Sequence, residues 1–134
     1  MSKSYVPYLQ HILQECHYIQ TVITQDMKMH EFLSDETVKR AVVRSLEIIG
    51  EATKKIPADV KYKWKKISWR EMAGMRDKLI HDYMGVNYLI VWDVAKNIIP
   101  TLIPQIEEIL NECKSDTAVS ELLIAKHKKE VWIS

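Results

Sequence analysis

An arginine, a histidine and a tyrosine fall within eight residues, in the run Arg76-Asp77-Lys78-Leu79-Ile80-His81-Asp82-Tyr83. Arginine keeps its charge at any biological pH, and its planar fork of donors matches a phosphate. An imidazole titrates at about 6.5, so it can both take and give a proton near neutrality. Cleavage of a phosphodiester by the RNA 2′-hydroxyl needs those two services: proton transfer, and a cation where charge develops. The same residue types also suit an ordinary solvated helix surface. There, Asp77 and Asp82 would pair with Arg70, Lys78 or Arg76 across turns, for about a few tenths of a kcal/mol each.

The element carrying this run has a marked start. Ser68 and Glu71 are spaced as a capping box, and Ile67 and Met72 as a hydrophobic staple. Gly85 is the residue type that tolerates a left-handed stop. On one straight helix between those signals, Arg76 and His81 point about 140° apart, while Tyr83 returns to the stripe of Arg76. A complete site then requires either distortion of the helix near Gly85 or a second chain. A two-fold homodimer that sets two such helices face to face would bring two arginines and two histidines into one cleft. The dimer is the favoured expectation.

The rest of the chain reads as further helices. Tyr8, Ile12, Cys16, Ile19 and Ile23 form one face of a first helix from about Tyr5 to Gln25, with Pro7 in its first turn. A linker is expected over Asp26 to Leu33. Ser34 is the expected cap of a second helix running to about Lys55, with Val38, Ala41, Val42, Ser45, Ile48, Ile49 and Ala52 inward. A lysine-rich connection occupies Ala58 to Ile67. Asn87 can cap a fourth helix with Leu89, Ile90, Val94 and Ile98 inward. Pro100 and Pro104 are expected to kink or break it, because neither supplies a backbone donor. A fifth segment covers Thr101 to Cys113, and Ser115 can cap a last one to about Lys128. The expectation is a single all-α domain over residues 1–134, an antiparallel helical bundle whose C-terminal helix, from about residue 115, is its least characteristic part.

At 134 residues, with 47% apolar and 28% charged residues, the chain has the balance of one globular domain. Its formal net charge of +1 rules out a general polycation, so contact with nucleic acid would have to be local. The densest basic stretch is Lys54, Lys55, Lys61, Lys63, Lys65 and Lys66, interleaved with Tyr62, Trp64 and Trp69. Cations with aromatic faces suit an RNA backbone and its bases. The competing reading is a solvated connection whose aromatics cap the core, with Trp69 in the core. Cys16 and Cys113 fall at apolar helical positions, as reduced, buried thiols would. No signal-peptide pattern is seen, and no apolar run approaches the roughly 20 residues of a membrane span, so a cytoplasmic protein that makes no membrane contact is expected. His11, Cys16 and His17 lack the spacing of a zinc site, and Glu47 and Glu51 suit a surface ion-pair row with Arg44 or a reach toward Arg76. No metal or cofactor is expected.

The pieces Leu46-Glu47-Ile48-Ile49-Gly50-Glu51-Ala52, Ser68-Trp69, Gly74-Met75 through Tyr83, and Val91-Trp92 together resemble the HepT group of HEPN-domain proteins. The match spans about Tyr5 to Leu110, and nothing is carried over to the segment beyond. The resemblance implies a HEPN-type bundle and a homodimeric, metal-independent endoribonuclease. In that family an arginine, four to six residues and a histidine form the ribonuclease motif, here Arg76 and His81. Asp77 stands at the polar position that often follows the arginine, and either Asp77 or Asp82 would orient the imidazole or the guanidinium. The resemblance also implies a toxin with a nucleotidyltransferase antitoxin, MntA, that neutralises it by transferring AMP to the motif tyrosine, here Tyr83. Tyr88 is a second candidate acceptor. The RNA target is open, with transfer RNA a reasonable candidate. The leading alternative is a non-catalytic substrate-binding or docking subunit of a minimal nucleotidyltransferase. A purely structural dimerisation domain would leave the Arg76, His81 and Tyr83 constellation unexplained.

Overall fold

Helix α1 runs Val6–Val22 and buries Ile12, Cys16 and Ile19 as expected, with Leu9 taking the inward place expected of Tyr8, which is half-buried. In this computed structural model, residues 4–81 and 85–115 are described. Pro7 lies in the first turn of α1, where its missing N–H is harmless. The segment expected to be a linker contains a short helix, α2 (Met29–Ser34), whose Phe32 is fully buried. Glu31, in its first turn, reaches back to the cap, its carboxylate accepting from the Lys28 N–H at 2.9 Å.

Helix α3 (Glu36–Lys54) is capped by Asp35, not by Ser34 as expected. Asp35 Oδ1 accepts from the Val38 N–H at 3.0 Å, while the Ser34 hydroxyl donates to His30 O at the end of α2. The carboxylate wins because Ser34 is already helical and cannot also take the extended cap conformation. Val42, Val43, Ser45, Leu46, Ile49 and Ala52 bury one face of α3, and α1 and α3 form the most extensive helix pairing of the fold. Lys39 is buried on this helix, donating to Leu33 O and Glu36, with its Nζ 4.4 Å from the centre of the Tyr88 ring. That contact holds the Glu36 carboxyl below the usual carboxylate range, through the Lys39 hydrogen bond and charge.

Beyond Pro57 come α4 (Ala58–Lys63), α5 (Trp69–Ala73) and α6 (Met75–Leu79). The expected single third helix is therefore two five-residue helices meeting at Gly74. Ser68 makes no side-chain cap bond, so the capping box does not form, although Ile67 and Met72 are both buried as a staple would require. Two short strands follow, β1 (Ile80–His81) and β2 (Gly85–Val86), paired antiparallel with Ile80 opposite Val86 and His81 opposite Gly85. This small pair is the one departure from an all-α architecture among the described residues.

Asn87 caps α7 (Tyr88–Asp93) as expected, its Oδ1 accepting from the Leu89 and Ile90 N–H groups at 3.2 and 3.3 Å. The chain then passes through a π-helical segment, Val94–Ile98, into a helix over residues 99–115, α8. Pro100 and Pro104 do not break this run. The Ile99 N–H reaches back five residues to Val94 O, and the wider turn relieves the crowding a proline ring causes. The Thr101 hydroxyl donates to Ile98 O at 2.7 Å. Val91, Val94, Ala95, Ile99, Leu102, Ile103, Ile106 and Ile109 point inward, whereas Leu89 and Ile98, both expected inside, are exposed. Ser115 lies within α8 instead of capping a further helix, and the rest of that expected helix falls outside the described residues.

The end of α8 returns to the start of α1, where the Tyr5 hydroxyl and Cys113 Sγ are 3.6 Å apart. Both cysteines are free and buried. Burial, helped by the neighbouring Glu15, pushes the Cys16 thiol up to about 12. Among the described residues, no helix is long and apolar enough to cross a membrane.

Candidate functional site

Arg76 stands on an elbow that rests on α3 at a glycine. A Cβ built on Gly50 would lie 3.2 Å from Met72 O, 3.7 Å from Ala73 O and 3.8 Å from Met75 Cβ. The backbone of the α5–α6 junction thus sits where any other side chain at position 50 would push it away. Met72, Met75 and Leu79 anchor the elbow in the core. Trp69 fixes its start, being buried with its indole N–H donating to Trp64 O at 3.0 Å. Trp69 is therefore core, not a stacking platform.

With Met75 and Leu79 facing inward, the three residues between them face outward. Arg76, Asp77 and Lys78 are all exposed, and none of their side chains makes a hydrogen bond or ion pair with a described residue. The pairing of Asp77 with Arg70, Lys78 or Arg76 that an inert helix surface would show does not form. The glutamates of α3 do not reach Arg76 either. Glu47 pairs with Arg44 at 3.8 Å and Glu51 with Lys54 at 3.3 Å, the surface row. Among the described residues, nothing occupies the Arg76 guanidinium.

His81 is not on the helix that carries Arg76, which corrects the helical-wheel argument. The helix stops at Leu79, whose carbonyl accepts from the Asn87 N–H at 2.8 Å. That bond draws the chain beyond into an antiparallel return, and β1–β2 pairing supplies the backbone partners a continuing helix would have provided. Gly85 has φ of +74°, the left-handed conformation expected of it, but in the return of the hairpin instead of at a helix end. Of the two routes to a complete site, a local departure from the helix does occur ahead of Gly85, and the two-fold dimer remains a proposal. Asp82 and Tyr83 lie outside the described residues, and with them the shared stripe expected of Arg76 and Tyr83. Tyr88, the other candidate acceptor, is half-buried between the Lys39 ammonium and the Phe32 ring.

The lysine-rich stretch forms a separate surface. Lys61 is half-buried on α4, and Lys63, Lys65 and Lys66 are exposed. Lys63 Nζ pairs with Glu112 on α8. Lys65 Nζ lies 5.5 Å from the centre of the Tyr62 ring, which is 76% exposed. Between residues 63–67 and α8 there is a cleft of about 320 Å³ whose far wall includes Gln105 and Glu108. Nothing in the sequence pattern singled out those two residues, because they look like the polar face of an ordinary helix. Elsewhere, His17 faces Glu107 at 4.0 Å, and no group of three or more metal-ligating side chains is present among the described residues.

A helical domain that presents an arginine unpaired among the described residues ahead of a histidine-bearing strand, with a basic aromatic surface elsewhere, has the makings of a nucleic-acid-processing module. Comparison with known proteins agrees. The model of the HepT-like family, described as ribonuclease HepT-like, matches residues 11–109. A protein of Caldanaerobacter subterraneus subsp. tengcongensis, named "Putative RNase", is 49% identical over 81% of this chain and 96% of its own length. One from Methanocaldococcus jannaschii with the same style of name is 51% identical over 66% of this chain and 77% of its own. A "Probable ribonuclease HepT" from Thermococcus cleftensis is 43% identical over 81% of this chain and 98% of its own. No solved structure matches the chain. The chain belongs to the HepT-like ribonuclease family.

Proposed function

We propose that this chain is a metal-independent endoribonuclease, the toxin of a toxin–antitoxin pair, with Arg76 and His81 as its catalytic residues. The observation that carries the reading is the exposed Arg76, unpaired among the described residues and held on the elbow five residues ahead of His81, in a chain of this family. Neutral His81 removes the proton from a ribose 2′-hydroxyl, and the oxygen attacks the adjacent phosphorus. An imidazolium returns a proton to the departing 5′-oxygen. The products are a 2′,3′-cyclic phosphate and a 5′-hydroxyl. Arg76 stabilises the added negative charge in between. A two-fold homodimer would supply two imidazoles to one cleft and let them divide the acid and base roles. Asp77 or Asp82 orients these groups. Lys61, Lys63, Lys65 and Lys66 hold the RNA backbone, and transfer RNA is a candidate target.

The partner in this reading is an MntA-like nucleotidyltransferase that places AMP on Tyr83. A phosphodiester anion two residues from His81 would compete with RNA for Arg76 and block the cleft with an adenosine, without unfolding the protein. The test is expression in a host without the antitoxin, with intact mass recorded. Growth arrest that His81→Ala abolishes, and that a co-expressed nucleotidyltransferase relieves with an AMP-sized mass gain lost in Tyr83→Phe, supports the reading. Harmless expression of unmodified protein points instead to a docking subunit of that nucleotidyltransferase.

A further inference from the structure

The cleft between residues 63–67 and α8 combines features that the phosphate-binding role of its lysines does not use. Trp64 is half-buried at its edge, and the Trp64 backbone is held by three bonds: its N–H to Val60 O at 3.0 Å, and its carbonyl accepting from Ile67 N at 3.1 Å and from the Trp69 indole at 3.0 Å. The indole is therefore carried on a rigid support. Across from it, Gln105 and Glu108 sit one turn apart on α8. Neither side chain makes a hydrogen bond or ion pair with a described residue, and nor does the Lys66 ammonium on the near wall. An amide, a carboxylate and an ammonium with unspent hydrogen-bonding capacity thus line one cleft that also has an aromatic wall.

We propose that this cleft is a base-recognition subsite for a guanine unstacked from single-stranded RNA. The inference rests on the RNA reading above and adds a sequence preference to it. Its volume of about 320 Å³ has room for one base. Single-stranded RNA is commonly read by stacking bases on aromatic rings and bonding their Watson–Crick edges. Of the four bases, guanine alone presents two adjacent donors on that edge, N1–H and the 2-amino group, and a carboxylate accepts both. Glu108 supplies that acceptor. O6 is an acceptor beside them, within the chemistry of the Lys66 ammonium or the Gln105 amide. Lys63 and Lys65 then meet the flanking phosphates, which offsets the repulsion a lone carboxylate would meet. A surface built for phosphates alone would gain nothing from Glu108.

The test is equilibrium binding to the full-length His81→Ala protein, which removes cleavage. The probes are short fluorescein-labelled single-stranded RNAs of adenosine and uridine carrying one central guanosine, inosine or adenosine. Guanosine RNA is expected to bind on the order of 10- to 100-fold more tightly than adenosine RNA, with inosine, which lacks the 2-amino group, in between. Glu108→Gln should erase the preference without weakening binding of the adenosine RNA, a pattern that loss of folding does not produce. Equal affinity for the three RNAs, no RNA binding, or a guanosine preference that survives Glu108→Gln overturns the proposal. If guanosine is preferred while the wild type cleaves nothing, the subsite stands and the ribonuclease reading falls. If the wild type cleaves and no base is preferred, the subsite alone falls.

Discussion

Replacing Gly50 with alanine should separate stability from catalysis. Glycine in a helix interior costs about 1 kcal/mol relative to alanine, so by helix propensity alone the variant would be more stable. Against that, the new methyl meets Met72 O at 3.2 Å, closer than a carbon and a backbone oxygen comfortably approach. The carbonyl belongs to α5 and cannot swing aside as a flexible side chain would, so the elbow has to move by a few tenths of an ångström. Met75 and Arg76 are on the displaced element. A misplacement of about 1 Å can cost about 100-fold in rate, so a shift of a third to a half of that should cost about five- to tenfold. The expected result is a kcat for RNA cleavage lowered by that factor, an unchanged KM, and unfolding free energy within about 1 kcal/mol of wild type. Steady-state cleavage of a labelled RNA and urea denaturation measure both. Wild-type kcat at wild-type stability would refute the claim that the Gly50 contact sets the position of Arg76.

Three further outcomes follow from other parts of the structure. Asp35→Ala removes the carboxylate that accepts from Val38 N and should lower stability by about 1 kcal/mol in urea; no change would mean that water replaces the cap. The unfolded chain ionises Cys16 from about its ordinary 9.0, whereas the folded chain keeps the thiol proton up to about 12. Stability should therefore fall as pH rises through that window, by up to about 1.4 kcal/mol per unit, and Cys16→Ala should lose this part of the slope; parallel pH profiles for the two proteins would contradict it. Replacing Lys63 and Lys65 together with alanine should flatten the dependence of log affinity on log salt by up to about 1.4, as two single-strand phosphate contacts require, and an unchanged slope would place the RNA elsewhere.

The long helices were legible in the sequence because their burial is periodic. Leu9 aside, the inward residues of α1 are those its spacing picked out, and Asn87 announced α7 through a cap that is present. The elements around the candidate site were harder to read, and for identifiable reasons. α2 is a single apolar turn around Phe32, too short for periodicity to register. The capping box at Ser68 suggested one long helix, but the close approach to Gly50 and the bond from Asn87 to Leu79 O are tertiary, and they divide it into α5, α6 and a hairpin. The π segment before Pro100 answers the same missing donor that suggested a break, by widening the turn instead. Arg76 was identifiable from its residue type and neighbours, whereas its freedom from Asp77, Glu47 and Glu51 could be seen only in three dimensions. Gln105 and Glu108 gave no sequence signal, since what distinguishes them is the wall they face across the cleft.

The most direct test of the central claim is cleavage of total cellular RNA by the purified, unmodified protein in excess EDTA, beside Arg76→Ala and His81→Ala. The account predicts cleavage by the wild type, products ending in 2′,3′-cyclic phosphate, and none from either variant at unchanged helix content. Cleavage that persists in His81→Ala, or that requires a divalent metal, would contradict it.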